Sequence, residues 1–190
     1  PESLARIRHL QYGWMRELRL PAESGGDLPV SLELYPLTFN PILKERVWGG
    51  RRLASLGKPV PVGAKIGESW ELTDLPAEIA DDGESVIANG PWHGRTLDEV
   101  IREQPNAILG RTRRTADGRF PLLFKYLDAD EHLSVQVHPS VEYAKAHVEA
   151  HVKSEAWLIV QADAGAAIYA GLKPGTTREA FAQAVREGRV

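Results

Sequence analysis

Between Leu133 and His138 the chain reads Leu-Ser-Val-Gln-Val-His, apolar and polar in strict alternation. In an extended strand, successive side chains point to opposite faces. Ser134, Gln136 and His138 would then share one side, and Leu133, Val135 and Val137 the other. Glu155 opens the next apolar run, Ala156 to Val160, with Lys153 just before it. If the two runs are neighbours, an imidazole, an amide, a carboxylate and an ammonium look into one space. That donor set suits a small hard-ligand metal site beside a contact for a charged substrate. The same alternation describes a plain half-solvated strand. A Gln-Val-His triplet alone is also a weak zinc signature, because zinc ordinarily takes Cys, His, Asp or Glu.

The elements that would position these groups run from Phe120 to Val160. Pro121 to Asp128 reads as a strand whose apolar run is interrupted by Lys125. A lysine there needs water or a partner, because a buried unpaired charge costs several kcal/mol. Ser140 to Val152 reads as a helix capped by Ser140. It carries His147 and His151 one turn apart, a spacing that can chelate zinc in His-Glu-x-x-His metalloproteases. Here the glutamate is Glu149, one place late for that pattern, and exposed histidines on a polar helix are the expectation. Glu155 to Gln161 and Ala166 to Leu172 read as an antiparallel hairpin joined through Gly165. Thr176 to Gly188 reads as a helix with a capping box at Thr176 and Glu179.

Upstream, Ser3 to Leu20 has helical spacing of Leu4, Ile7, Trp14 and Leu18, stopped by Pro21. Ala22 to Pro29 reads as a linker. Residues 1–30 are therefore expected to be a helix and linker, and residues 31–190 the main domain. Ser31 to Asn40 reads as extended. Trp48 precedes two glycines, which permit a tight turn; it reads as a core anchor or as a projecting ring. Gly63 to Leu75 reads as turn then strand, with Glu68, Trp70 and Leu72 on one face and Trp70 in the core. Asp81 to Gly94 is turn-rich. Thr96 to Gln104 is a short helix with a Thr96–Glu99 capping box. Arg111 to Arg119 is a basic, solvated loop.

Composition bounds the function. With 190 residues, 26% charged and 43% hydrophobic, the chain can build one ordinary globular core. A net charge of −3 with no long basic run gives no footprint for nucleic acid. No cysteine is present, which excludes disulfides and thiolate metal sites. No apolar run approaches a membrane span and no signal peptide is evident, so no membrane role is expected and the cytoplasm is the default location. The oligomeric state is open.

Five segments in one order then point to a family. Leu133 to Pro139 (LSVQVHP) and Lys153-Ser154-Glu155 before a strand resemble the two signatures of the type I mannose-6-phosphate isomerases, zinc enzymes of the cupin superfamily. Phe120 to Ser134, Gly67 to Asp74 (GESWELTD) and Arg46 to Leu53 (RVWGGRRL) resemble three further segments, so the likeness spans Leu37 to Val190. It implies a mainly β fold with peripheral helices, a cupin-like jelly-roll barrel incomplete at the C-terminus. It implies interconversion of mannose 6-phosphate and fructose 6-phosphate through an enediol-like intermediate, with one divalent ion as Lewis acid. That ion is zinc in the family, although the ligand types alone also admit manganese, iron or cobalt.

By the same resemblance, Gln136, His138 and Glu155 are the metal ligands and Lys153 the catalytic residue. Ser134, Lys125 and Trp48 contact the sugar phosphate. The family's fourth ligand, a histidine, falls in a later stretch, and no histidine follows His151 here. With only three of the four ligands present and part of the catalytic set missing, the isolated chain is expected to be weak or inactive; it begins at Pro1 and ends inside a helical pattern, so both ends look cut. A non-catalytic cupin-like module binding sugar or metal is the competing reading.

Overall fold

A computed structural model describes residues 34–147, 149–150 and 152–189. The expected helix Ser3 to Leu20 and the linker Ala22 to Pro29 lie outside the described residues. The chain divides into two units, Pro1–Leu37 and Thr38–Val190, and all the strands and helices among the described residues belong to the second.

The centre of that unit is an antiparallel sheet of β1 (Ile42–Gly50), β2 (Ile66–Leu72) and β3 (Phe124–Leu127), in the order β1-β2-β3. β2 is central, and Ile66, Gly67, Glu68, Ser69 and Trp70 in succession are buried. The sequence pattern assigns it one core face. The structure buries residues of both faces. β1 and β2 meet through glycine. A Cβ on Gly49 would lie 2.6 Å from the Ile66 carbonyl carbon, and one on Gly67 would lie 2.6 Å from both the Arg46 Cβ and the Trp48 ring. Gly49→Ala is therefore expected to cost about 1–3 kcal/mol by overpacking, read as a lower urea midpoint with an unchanged slope. An unchanged midpoint would contradict this close approach.

The helices anchor one end of the sheet. Helix α1 (Leu97–Glu103) begins with the expected capping box: the Thr96 hydroxyl accepts from the Glu99 N–H at 3.2 Å, and the Glu99 carboxylate accepts from the Thr96 N–H at 3.0 Å. Leu97, Val100 and Ile101 recur at helical spacing and are buried. Leu97 and Ile101 cluster with Leu109 of α2 (Pro105–Leu109), and Phe39, Leu72, Ile108 and Phe120 pack around them. Phe120 leads into β3, so this cluster seats the segment that carries Lys125.

The C-terminal half departs from expectation. The mainly β architecture resolves to a small antiparallel sheet with a few helices. Leu133–His138, Glu155–Gln161 and Ala166–Leu172 are not paired as strands. Alternation specifies which side chains share a face, but a strand also needs an edge to bond to, and no described segment supplies one. Their apolar residues are correspondingly exposed, Leu158 by 87% and Tyr169 by 82%. The turn between the last two segments does form: the Ala166 N–H donates to the Asp163 carbonyl at 3.0 Å, and Gly165 takes a φ of +85°. Helix α3 covers only Val141–Ala146. Helix α4 (Arg178–Arg186) is capped by Thr177, not Thr176. Thr176 is already engaged in a turn, its hydroxyl donating to the Lys173 carbonyl at 2.7 Å.

Candidate functional site

His138 and Glu155, separated in sequence by α3, come together in space. His138 Nε2 lies 3.5 Å from Glu155 Oε2, and the other carboxylate oxygen is ion-paired with the Lys153 ammonium. The Lys153 hydrogen bond leads in holding the Glu155 carboxyl below the usual carboxylate range. Partial desolvation opposes it, and the Lys153 charge and His138 assist. Glu155 therefore presents an ionised oxygen to the imidazole.

This pair fits a divalent ion. Two donors each about 2.0–2.1 Å from a tetrahedral ion stand about 3.4 Å apart, close to the 3.5 Å observed. Imidazole nitrogen and carboxylate oxygen are also an ordinary zinc donor pair. Gln136 is exposed and its amide has no protein partner among the described residues, so it is uncommitted. Among the described residues no group of three or more His, Asp or Glu is gathered. Ser134 is exposed as well.

The sheet holds a second charged cluster. Lys125 stands opposite Trp70 in the β2–β3 register, one diagonal step from Glu68. Its Nζ lies 3.3 Å from Glu68 Oε2, Arg46 Nε lies 3.5 Å from Oε1, and the Trp70 indole N–H donates to Oε2 at 2.6 Å. Lys44 Nζ sits 4.2 Å from the centre of the Trp70 ring. Burial disfavours the Glu68 charge, but the Trp70 hydrogen bond and the Lys125 and Arg46 charges together hold its carboxyl below the usual range. Lys125 thus has the partner its position requires, and its side chain keeps 21% exposure.

Trp48 is half-buried, its ring lying over Gly67, and its carbonyl accepts from the Asp130 and Glu131 N–H groups. It is neither a fully buried anchor nor a freely projecting ring. The helix expected to carry His147 does not reach it. Helix α3 stops at Ala146, and His151 lies outside the described residues. His147 Nδ1 lies 2.9 Å from the Tyr143 carbonyl, the acceptor that the next backbone N–H of a continuing helix would use. A side chain in that place ends the helix.

Several polar residues that organise these clusters escape sequence reading. Buried Asp128 accepts from the Arg52 N–H at 2.6 Å, and a Cβ on Gly50 would lie 2.6 Å from the same carboxylate. Buried Asp74 accepts from Arg119 at 2.8 Å and from the Phe120 N–H at 2.7 Å. Arg119 therefore belongs to the framework, unlike exposed Arg111, Arg113 and Arg114 in the same basic loop. The one local signal for these roles is an Asp ending each of two strand-like runs.

A family model described as phosphomannose isomerase type I, catalytic domain, matches residues 37–162. Mannose-6-phosphate isomerase ManA of Bacillus subtilis is 39% identical over 154 residues, which is 80% of this chain and 45% of the relative. The mannose-6-phosphate isomerase of Streptococcus mutans is 37% identical over 137 residues, 72% of this chain and 40% of the relative. Among solved structures, the mannose 6-phosphate isomerase from Bacillus subtilis matches with a TM-score of 0.51 and 36% identity, over 62% of this chain and 34% of that one. The chain spans less than half the length of these relatives.

Proposed function

The chain belongs to the type I phosphomannose isomerase family, and on that footing we propose that it carries metal- and sugar-binding parts of an aldose–ketose isomerase acting on mannose 6-phosphate and fructose 6-phosphate. The observation that carries this reading is the meeting of His138, Glu155 and Lys153, brought together from two separate segments. Gln136, His138 and Glu155 would hold the ion, zinc by family. The small sheet is read as part of a cupin-type barrel.

When bound, the divalent ion supplies Lewis acidity toward a sugar oxygen. The chain's own groups do the rest. The Lys153 ammonium has three donors, and its pairing with Glu155 leaves others for a sugar oxygen. There it stabilises negative charge on O1 or O2 as the proton moves between C1 and C2, or returns a proton to that oxygen. Ser134 offers a hydroxyl to the sugar. Lys125, steadied by Glu68, offers charge to hydroxyl or phosphate, and Trp48 offers an aromatic wall. A phosphorylated sugar crosses membranes poorly because its charge resists desolvation, so the reaction is assigned to the cytoplasm. Among the described residues no helix is long and apolar enough to cross a membrane.

With zinc supplied, the isolated chain is expected to convert mannose 6-phosphate to fructose 6-phosphate only weakly, followed by carbon-13 NMR. Lys153→Met is expected to abolish conversion while leaving sugar-phosphate binding. Sugar-phosphate binding with no conversion by the parent chain at saturating zinc would favour the non-catalytic module.

A further inference from the structure

Directly beside His138 lies an open groove of about 420 Å³, lined by Val137, His138, Pro139, Ser140 and Tyr143. Its volume falls within the range of small-molecule sites. Tyr143 is its one aromatic side chain and remains 52% exposed. Core packing does not account for it, because α3 buries none of its residues.

Its position is nevertheless fixed. The Ser140 hydroxyl accepts from the Tyr143 N–H at 3.2 Å, which sets the helix cap two residues after His138. The His147 ring stacks on the Tyr143 ring with centroids 3.8 Å apart and planes 7° from parallel. His147 is locked in turn by its Nδ1, 2.9 Å from the Tyr143 carbonyl. A carbonyl only accepts, so Nδ1 carries the hydrogen. An exposed aromatic ring is thus held rigid at a set distance along the chain from a candidate metal ligand. A rigid ring offers contact area at low entropic cost.

We propose that Tyr143, propped by His147, is a positioning residue that packs against the carbon face of the hexose ring in the groove beside His138. A hexose has an apolar C–H face as well as hydroxyl edges, and an amphipathic tyrosine ring matches that face. The inference rests on the isomerase reading for the identity of the sugar phosphate, but it concerns a different residue from those that hold the ion. It also gives His147 a role that needs no metal.

The test compares zinc-loaded parent, Tyr143→Ala, Tyr143→Phe and His138→Ala with mannose 6-phosphate. In steady-state turnover, Tyr143→Ala is expected to raise KM about tenfold with little change in kcat, and Tyr143→Phe to restore the parent value. Zinc content is expected to be the same in all but His138→Ala. An unchanged KM in Tyr143→Ala, or Tyr143→Phe behaving like alanine, overturns the ring-packing role. A fall in zinc content with Tyr143→Ala also overturns it, since the ring would then merely support His138. Calorimetric binding of mannose 6-phosphate separates the two readings. A parent that binds the sugar phosphate but does not convert it counts against the isomerase reading alone, and Tyr143→Ala must then weaken binding about tenfold. Equal binding by parent and Tyr143→Ala overturns the proposal, and no binding by the parent overturns both readings.

Discussion

His138→Ala is expected to abolish stoichiometric zinc binding and to lower mannose 6-phosphate conversion by at least about 100-fold, the scale seen when one stabilising group is removed from an active site. The fold should hardly notice. The His138 side chain is 33% exposed and its polar neighbour among the described residues is Glu155, so the melting midpoint should move by no more than about 0.5 kcal/mol equivalent. That combination separates a ligand from a structural histidine. A structural role would lower stability and activity together, whereas a ligand lowers metal content and activity alone. Zinc content measured by atomic emission alongside the melt decides between them. Full zinc content in the variant would remove His138 from the site.

Glu68→Gln is expected to have the largest effect on stability. The amide keeps the shape but loses the charge, leaving Lys125 and Arg46 against a neutral group in a place where Glu68 is only 7% exposed. Breaking a buried pair from one side costs about 3–5 kcal/mol. Here both cations reach some water, so about 3 kcal/mol is expected, near 6–12 °C in Tm for a chain of this size. Adding Lys125→Met should recover part of the loss by removing the stranded charge. The pH dependence follows from the lowered Glu68 pKa. Its contribution is fully present above the ordinary carboxylate pKa, about 4.3, and is lost as the pH falls through the lower folded value. The gap between parent and Glu68→Gln should therefore be widest near neutrality and close in acid. A gap independent of pH would mean that the ion pairs are not its source.

What the sequence made legible was local. The capping box at Thr96, the cap at Ser140, the turn at Gly165 and the strand around Lys125 each depend on a few adjacent residues, and each is present in the structure. His138, Lys153 and Glu155 stood out because two short signatures carry them. The failures are non-local. The alternation of Leu133 to His138 says which side chains share a face but nothing of what lies alongside, and no partner strand is there among the described residues. The pattern within β2 gives one core face, whereas residues of both faces are buried. The hub at Glu68 depends on a diagonal across two strands, and that at Asp74 on an arginine in what reads as a solvated loop. The end of α3 was missed because the His147 side chain takes a carbonyl that helical periodicity reserves for the backbone. Thr177 displaced Thr176 as a cap because the earlier hydroxyl is already used in a turn.

The most direct test of the account is anomalous X-ray scattering at the zinc edge from zinc-soaked crystals of the chain. The account predicts one peak bounded by Gln136, His138 and Glu155, with the carboxylate of Glu155 still paired with Lys153. A peak at His147 instead, or no peak at saturating zinc, would contradict it.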